Sequence, residues 1–135
     1  QIPAGGTRKP ITLEMLQKNE NFLIMDGRAV FKWAVRTLAE STRQVLDYTG
    51  HSIEDIHIAL FHQANIRILD AAVEHLGIDS QKVPSNLDRY GNTSSASIPL
   101  VLDEVCREGR IHRGDLVLMS GFGAGLAWGT ALIRW

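Results

Sequence analysis

Apolar residues recur along this chain either at three- and four-residue spacing or in short unbroken runs, and the two patterns alternate. That alternation predicts helices and strands in turn, the signature of an α/β layered fold. From Asp26 onward, Phe31, Ala34, Val35, Leu38, Thr42, Val45 and Leu46 share one face of a long helix, which Gly50 stops. Ile56 to Phe61 is a short apolar strand. Leu69, Ala72, Val73 and Leu76 form the buried stripe of a helix from about Asn65 to Leu76, ended by Gly77. Val83 to Leu87 reads as a weak strand. A further helix runs from about Ser97 to Glu108, with Val101, Leu102, Val105 and Cys106 inward and Pro99 in its first turn. Leu116 to Met119 is a continuous apolar run, as a strand covered on both faces requires. After a glycine loop, Leu126 to Ile133 is a final strand, which should pair antiparallel with the one before it.

Residues 1–20 break these patterns. Pro3, Gly5, Gly6 and Pro10 make the stretch turn-rich, with room for one helical turn near Leu13 to Gln17. Asn21 to Met25 is short, apolar and expected to be extended. The 135 residues suit one domain with a real core. The first residue is Gln1 rather than Met, on a loop-like stretch, which suggests a segment of a longer polypeptide. The net charge of −1 gives no global attraction to nucleic acid or membrane. No apolar run is long enough for a membrane helix. The single cysteine excludes an internal disulfide framework and a cysteine-based zinc site, and suits a reducing cytoplasm.

Two polar clusters carry the candidate chemistry. His62-Gln63-Ala64-Asn65 closes the Ile56 run at the carboxyl end of its strand, where open α/β sheets build their sites. A neutral imidazole there can take a proton or donate a hydrogen bond, although a structural histidine at a strand end is the plainer alternative. Gly91-Asn92-Thr93-Ser94-Ser95-Ala96-Ser97 offers a carboxamide that can stabilise an oxyanion without titrating; plain helix capping competes with that role. The serines lack a Gly-x-Ser-x-Gly elbow. Gly121-Phe122-Gly123-Ala124-Gly125 fails the dinucleotide pattern, because Leu126 takes the third glycine position and a strand follows. A tight turn that brings a backbone N–H to a ligand fits better, with an ordinary hairpin as the alternative. Cys106 lies on an apolar helix stripe and is expected to be an inert core residue. His51, His57, His75 and His112 have no supporting context, and no histidine pair sits at helical metal-ligand spacing, so no metal is expected. Arg28, Lys32, Arg36 and Arg67 lie on or near helix starts and could meet phosphates or an acidic partner, or simply form solvated faces.

In combination, His62-Gln63-Ala64-Asn65, Leu87-Asp88-Arg89-Tyr90-Gly91-Asn92-Thr93-Ser94-Ser95-Ala96-Ser97 and Gly121 to Trp128 resemble the carboxyl-terminal half of the β-ketoacyl-acyl-carrier-protein synthase III family, from about Asp26 to Trp135. The resemblance implies a thiolase-like half, layered α/β/α, with a mixed sheet in the order Val83, Ile56, Leu116, Leu126, the last strand antiparallel. It implies a Cys–His–Asn site in which His62 and Asn92 are catalytic and the cysteine comes from an amino-terminal half. Ala124 aligns with a backbone oxyanion donor, usually glycine in the family. Asn65 matches a pantetheine contact, and Arg67 and Lys32 match positions that dock the acidic carrier protein. Arg28 departs from the family pattern near the coenzyme A mouth. The implied substrates are an acyl-CoA and malonyl-acyl carrier protein, joined by decarboxylative condensation without a cofactor, in a cytoplasmic homodimer.

From this reading His62, Asn92 and the Ala124 N–H should face one cavity, with Cys106 buried and remote, and the chain alone should be inactive. A noncatalytic acyl-thioester or carrier-protein binding module is the rival, and a serine hydrolase using His62 with one of the Ser94–Ser97 hydroxyls is a third reading.

Overall fold

The computed structural model describes residues 2–135. They fall into two compact units, residues 2–30 and residues 31–135.

The first unit is held by local bonds. Thr12 caps the short helix α1 (Leu13–Gln17) through its side chain, and Ala4 N–H donates to the Glu20 carbonyl at 3.0 Å. Residues 21–25 form no strand, and Phe22, Leu23, Ile24 and Met25 are exposed. Helix α2 (Gly27–Thr49) starts at the end of this unit, where the Asp26 carboxylate accepts the Ala29 N–H at 3.0 Å.

The second unit is a layered α/β/α arrangement. Its elements follow α2 in the order β1 (Ile58–Phe61), α3 (Ile66–Leu76), α4 (Leu87–Tyr90), α5 (Ser97–Arg107), β2 (Leu116–Gly123) and β3 (Ala127–Arg134). The sheet order is β1-β2-β3, with β1 and β2 parallel and β3 antiparallel to β2. Side chains alternate across it. Ala59, Phe61 and Leu118 join Leu38, Leu46, Leu69 and Ala72 of α2 and α3 in one apolar cluster. Ile58, Leu60 and Val117 join Val101 and Val105 of α5 in another. Both faces of β1 are therefore covered, and all four of its residues are buried. Gly77 ends α3 in the left-handed region at φ 68°, and its N–H returns to the Val73 carbonyl at 2.9 Å.

Two sequence expectations need correction. The sheet has three strands among the described residues, not four, because Val83 to Leu87 is not a strand. Pro84 has no N–H for a ladder, Ser85 Oγ and Asn86 N–H both reach the Gln63 side chain, and Leu87 already begins α4. The glycine loop is also shorter than its composition suggests. Gly121 to Gly123 continue β2 and pair with Gly129 to Ala127, so only residues 124–126 turn.

Candidate active site

His62 follows β1 directly, and its N–H donates to the Ser120 carbonyl at 3.0 Å, one bond beyond the named strand. Its backbone is thus fixed by the parallel sheet at a carboxyl end. Its ring meets two other elements. Nδ1 lies 2.6 Å from the Ser97 hydroxyl at the start of α5. The ring sits edge-to-face against Phe122 of β2, with centroids 5.3 Å apart. Burial pushes the His62 pKa below its ordinary 6.5, so the ring is neutral at neutral pH.

Gln63 explains why this corner holds its shape. It is fully buried, and its amide nitrogen donates to the Phe61 carbonyl at 2.8 Å. Its amide oxygen accepts from Ser85 Oγ at 2.9 Å and from Asn86 N–H at 3.4 Å. Its own N–H donates to Ser97 Oγ at 3.3 Å. One side chain and one amide therefore tie the end of β1 to the 85–86 segment and to α5. Asn86, also buried, donates to Glu104 of α5 at 3.0 Å, and Arg89 of α4 pairs with the same carboxylate at 2.9 Å.

Asn92 lies on the loop between α4 and α5. Its Oδ1 accepts the Ser94 N–H at 2.9 Å, which commits the acceptor end of the carboxamide to the loop. The Nδ2 amide is left as the end that can donate outward. Ser94 takes φ 54°, which lets the chain turn tightly here before α5. Asn65 is the N-cap of α3, its Oδ1 accepting Arg67 N–H at 2.9 Å, a role that sequence reading did not give it. Arg67 is exposed in the first turn of α3, Lys32 is exposed on α2, and Arg28 is exposed in the first unit. Ala124 is exposed at the tip of the β2–β3 hairpin. Cys106 is half-buried, not fully buried, and packs with Ile98, Leu102 and Met119 against the α5 side of the sheet.

The structure thus brings His62, Gln63, Ser97 and Phe122 into direct contact. Sequence reading named Ser97 only among possible hydrolase hydroxyls and gave Gln63 no role. No spacing signal links Ser97 to the His62-Gln63 pair, because it lies 35 residues from His62 and 34 from Gln63. Beside Phe122, an apolar groove is lined by Ile98, Met119, Gly121 and Trp128. At the opposite end of β1, His57 Nε2 and His112 Nδ1 lie 3.4 and 3.7 Å from Asp115 Oδ2. There His57 Nε2 is also 2.8 Å from the Arg110 carbonyl, which accepts its proton, and Asp115 accepts the His112 N–H. These bonds close the loop into β2.

The profile of the 3-oxoacyl-[acyl-carrier-protein (ACP)] synthase III C-terminal family matches residues 46–135. The chain belongs to this family. A beta-ketoacyl-[acyl-carrier-protein] synthase III of Rhodopirellula baltica is 57% identical over 99% of the chain, which covers 39% of that protein. One from Desulfitobacterium hafniense is 49% identical over 99% of the chain and 40% of the protein. The chain thus spans about two fifths of the length of the curated relatives it matches. Among solved structures, the synthase III of Thermus thermophilus superposes with TM-score 0.82 at 51% identity, over 85% of this chain and 36% of that one. The Aquifex aeolicus synthase gives 0.83 at 46% identity, over 87% and 38%. The synthase III C-terminal fold is thiolase-like, and its mixed sheet with an antiparallel last strand is the one described above.

Proposed function

We propose that this chain is the carboxyl-terminal half of a β-ketoacyl-acyl-carrier-protein synthase III that condenses an acyl-CoA starter with malonyl-acyl carrier protein at the start of fatty-acid synthesis. The observation that carries the reading is a neutral, half-buried His62 at the carboxyl end of a buried strand, in a chain of this family. Loss of carbon dioxide from a malonyl thioester leaves an enolate whose negative charge sits on the thioester oxygen. His62 Nε2–H and Asn92 Nδ2–H are the donors for that oxygen, and neither carries a charge that decarboxylation would have to work against. The enolate carbon then attacks an acyl-cysteine thioester held by the amino-terminal half. The cysteine sulfur leaves as thiolate, and the Ala124 N–H meets the oxyanion of the tetrahedral intermediate. The loss of carbon dioxide drives the carbon–carbon bond, so the chemistry needs no cofactor. Asn65 and Arg28 serve the pantetheine and coenzyme A. Exposed Arg67 and Lys32 receive the acidic carrier protein, and the groove beside Phe122 suits an apolar arm.

The test uses the full-length protein and measures carbon dioxide release and cysteine acylation separately. His62→Ala and Asn92→Ala should each slow carbon dioxide release by about 10²–10³-fold, the cost of an oxyanion donor, and leave acylation nearly intact. Equal loss of both half-reactions overturns the roles given to the two residues. Residues 1–135 alone should show no condensation, since neither His62 nor Asn92 can carry the acyl group. A folded full-length protein that binds acyl-CoA or carrier protein but neither acylates nor decarboxylates would instead be a binding module.

A further inference from the structure

We propose that Ser97 is a positioning residue that fixes the tautomer of His62, holding its proton on Nε2; this deepens the condensing-enzyme reading and rests on it for its kinetic part. A serine hydroxyl has one proton to donate and two lone pairs to accept with. The Gln63 N–H, a backbone donor with no alternative proton state, points at Ser97 Oγ from 3.3 Å and takes one lone pair. A second lone pair remains, but among the described residues the hydroxyl's hydrogen bonds are to the Gln63 N–H and His62 Nδ1, so Nδ1, 2.6 Å away, is the acceptor its proton has. The buried surroundings favour this direction, because Ser97 is 1% exposed and water cannot accept its proton instead. An Nδ1 that accepts must be unprotonated, so in the neutral ring the proton resides on Nε2.

The consequence is chemical. The tautomer with Nε2–H is a donor, suited to a developing enolate oxygen, whereas the other tautomer would present a lone pair to the same oxygen and repel it. Phe122 packs against the ring edge-to-face and restrains its tilt, but offers nothing that selects a tautomer. Ser97 is the group in the structure that does so. The Gln63 amide that orients Ser97 belongs to the residue that locks the end of β1, so ring orientation and strand end are set by one arrangement.

The decisive measurement is ¹⁵N NMR of the full-length protein with labelled histidine, the His62 signal assigned by its loss in His62→Gln. A neutral His62 protonated on Nε2, with Nδ1 shifted as a hydrogen-bond acceptor, is expected. Protonation on Nδ1 overturns the proposal. In Ser97→Ala the Nδ1 signal should move to the position of a free nitrogen, and an unchanged signal counts against it equally. Ser97→Ala should also slow carbon dioxide release by about tenfold, the rate equivalent of one ordinary hydrogen bond, with acylation unchanged. Ser97→Thr, which keeps the hydroxyl, should recover the Nδ1 shift. Because the NMR result does not depend on turnover, a wild-type protein that fails to decarboxylate malonyl carrier protein would refute the condensing-enzyme reading while leaving the tautomer assignment to stand or fall by the spectrum.

Discussion

Burial keeps the His62 ring neutral, and the direction of its pKa shift sets a pH window. The unfolded chain takes up a proton at the ordinary 6.5, and the folded protein does so only at lower pH. Between those two values the unfolded state binds more protons, so this group lowers stability as pH falls through the window and contributes nothing above it. The acid limb of carbon dioxide release by the full-length protein should therefore have its midpoint below 6.5. A midpoint at or above that value would contradict a desolvated ring. Thr42 gives a second prediction at this scale. Its Oγ1 is buried in α2 without a hydrogen-bond partner, a cost with no return. Thr42→Val should raise stability by up to about 1 kcal/mol, seen as a higher urea midpoint at unchanged slope. A lower midpoint would mean that the hydroxyl is paired after all.

The elements were legible where burial is one-sided and periodic. Leu38, Thr42 and Leu46 gave α2, and Leu69, Ala72 and Leu76 gave α3, because a helix between a sheet and solvent must repeat its apolar positions. Residues 83–87 were not legible, since their backbone and hydroxyl groups are satisfied by Gln63, 20 or more positions away. The strand-end histidine could be singled out from its place after an apolar run, but the Ser97 hydroxyl beside it could not. Such pairings depend on which segments the sheet places side by side. Gln63 is the element-scale test. Gln63→Leu keeps the bulk but strands the Phe61 carbonyl, Ser85 Oγ and Asn86 N–H in a buried corner. It should cost about 2–4 kcal/mol by chemical denaturation, from several buried groups left unpaired. A cost under about 0.5 kcal/mol would show that these bonds are not maintained in solution.

At the scale of the whole chain, β3, like β1, is bonded along one edge only among the described residues, but β1 is buried whereas most of the β3 side chains are exposed. Trp128 is 57% exposed and Ile133 38%. An edge strand with exposed apolar side chains and a charge only at its last residue, Arg134, is a template for further pairing. Residues 1–135 produced alone should self-associate, with light scattering showing species larger than the 15.0 kDa monomer at micromolar concentration. Ala131→Lys, which places a charge on the exposed part of that strand, should shift the population toward monomer. A monomer without the substitution would mean that β3 is protected by something other than pairing.

Ser120 and Ser41 each lie 2.7 Å from the Thr130 hydroxyl, and Ser41 Oγ reaches the Leu38 carbonyl at 3.4 Å. Since only the carbonyl is a pure acceptor, the protons run one way, from Ser120 through Thr130 to Ser41 and on to Leu38. The three hydroxyls form a miniature wire with a polarity, and Thr130 is its only splice. Ser120→Ala removes one link and Ser41→Ala two, the bond from Thr130 and its own bond to the Leu38 carbonyl, while Thr130→Val severs two and leaves a donor and an acceptor facing each other across a methyl group. Thr130→Val should therefore lose more stability than Ser120→Ala, and adding Ser120→Ala to Thr130→Val should cost less than Ser120→Ala alone, a departure from additivity that the denaturation curves of the two single variants and the double variant would reveal.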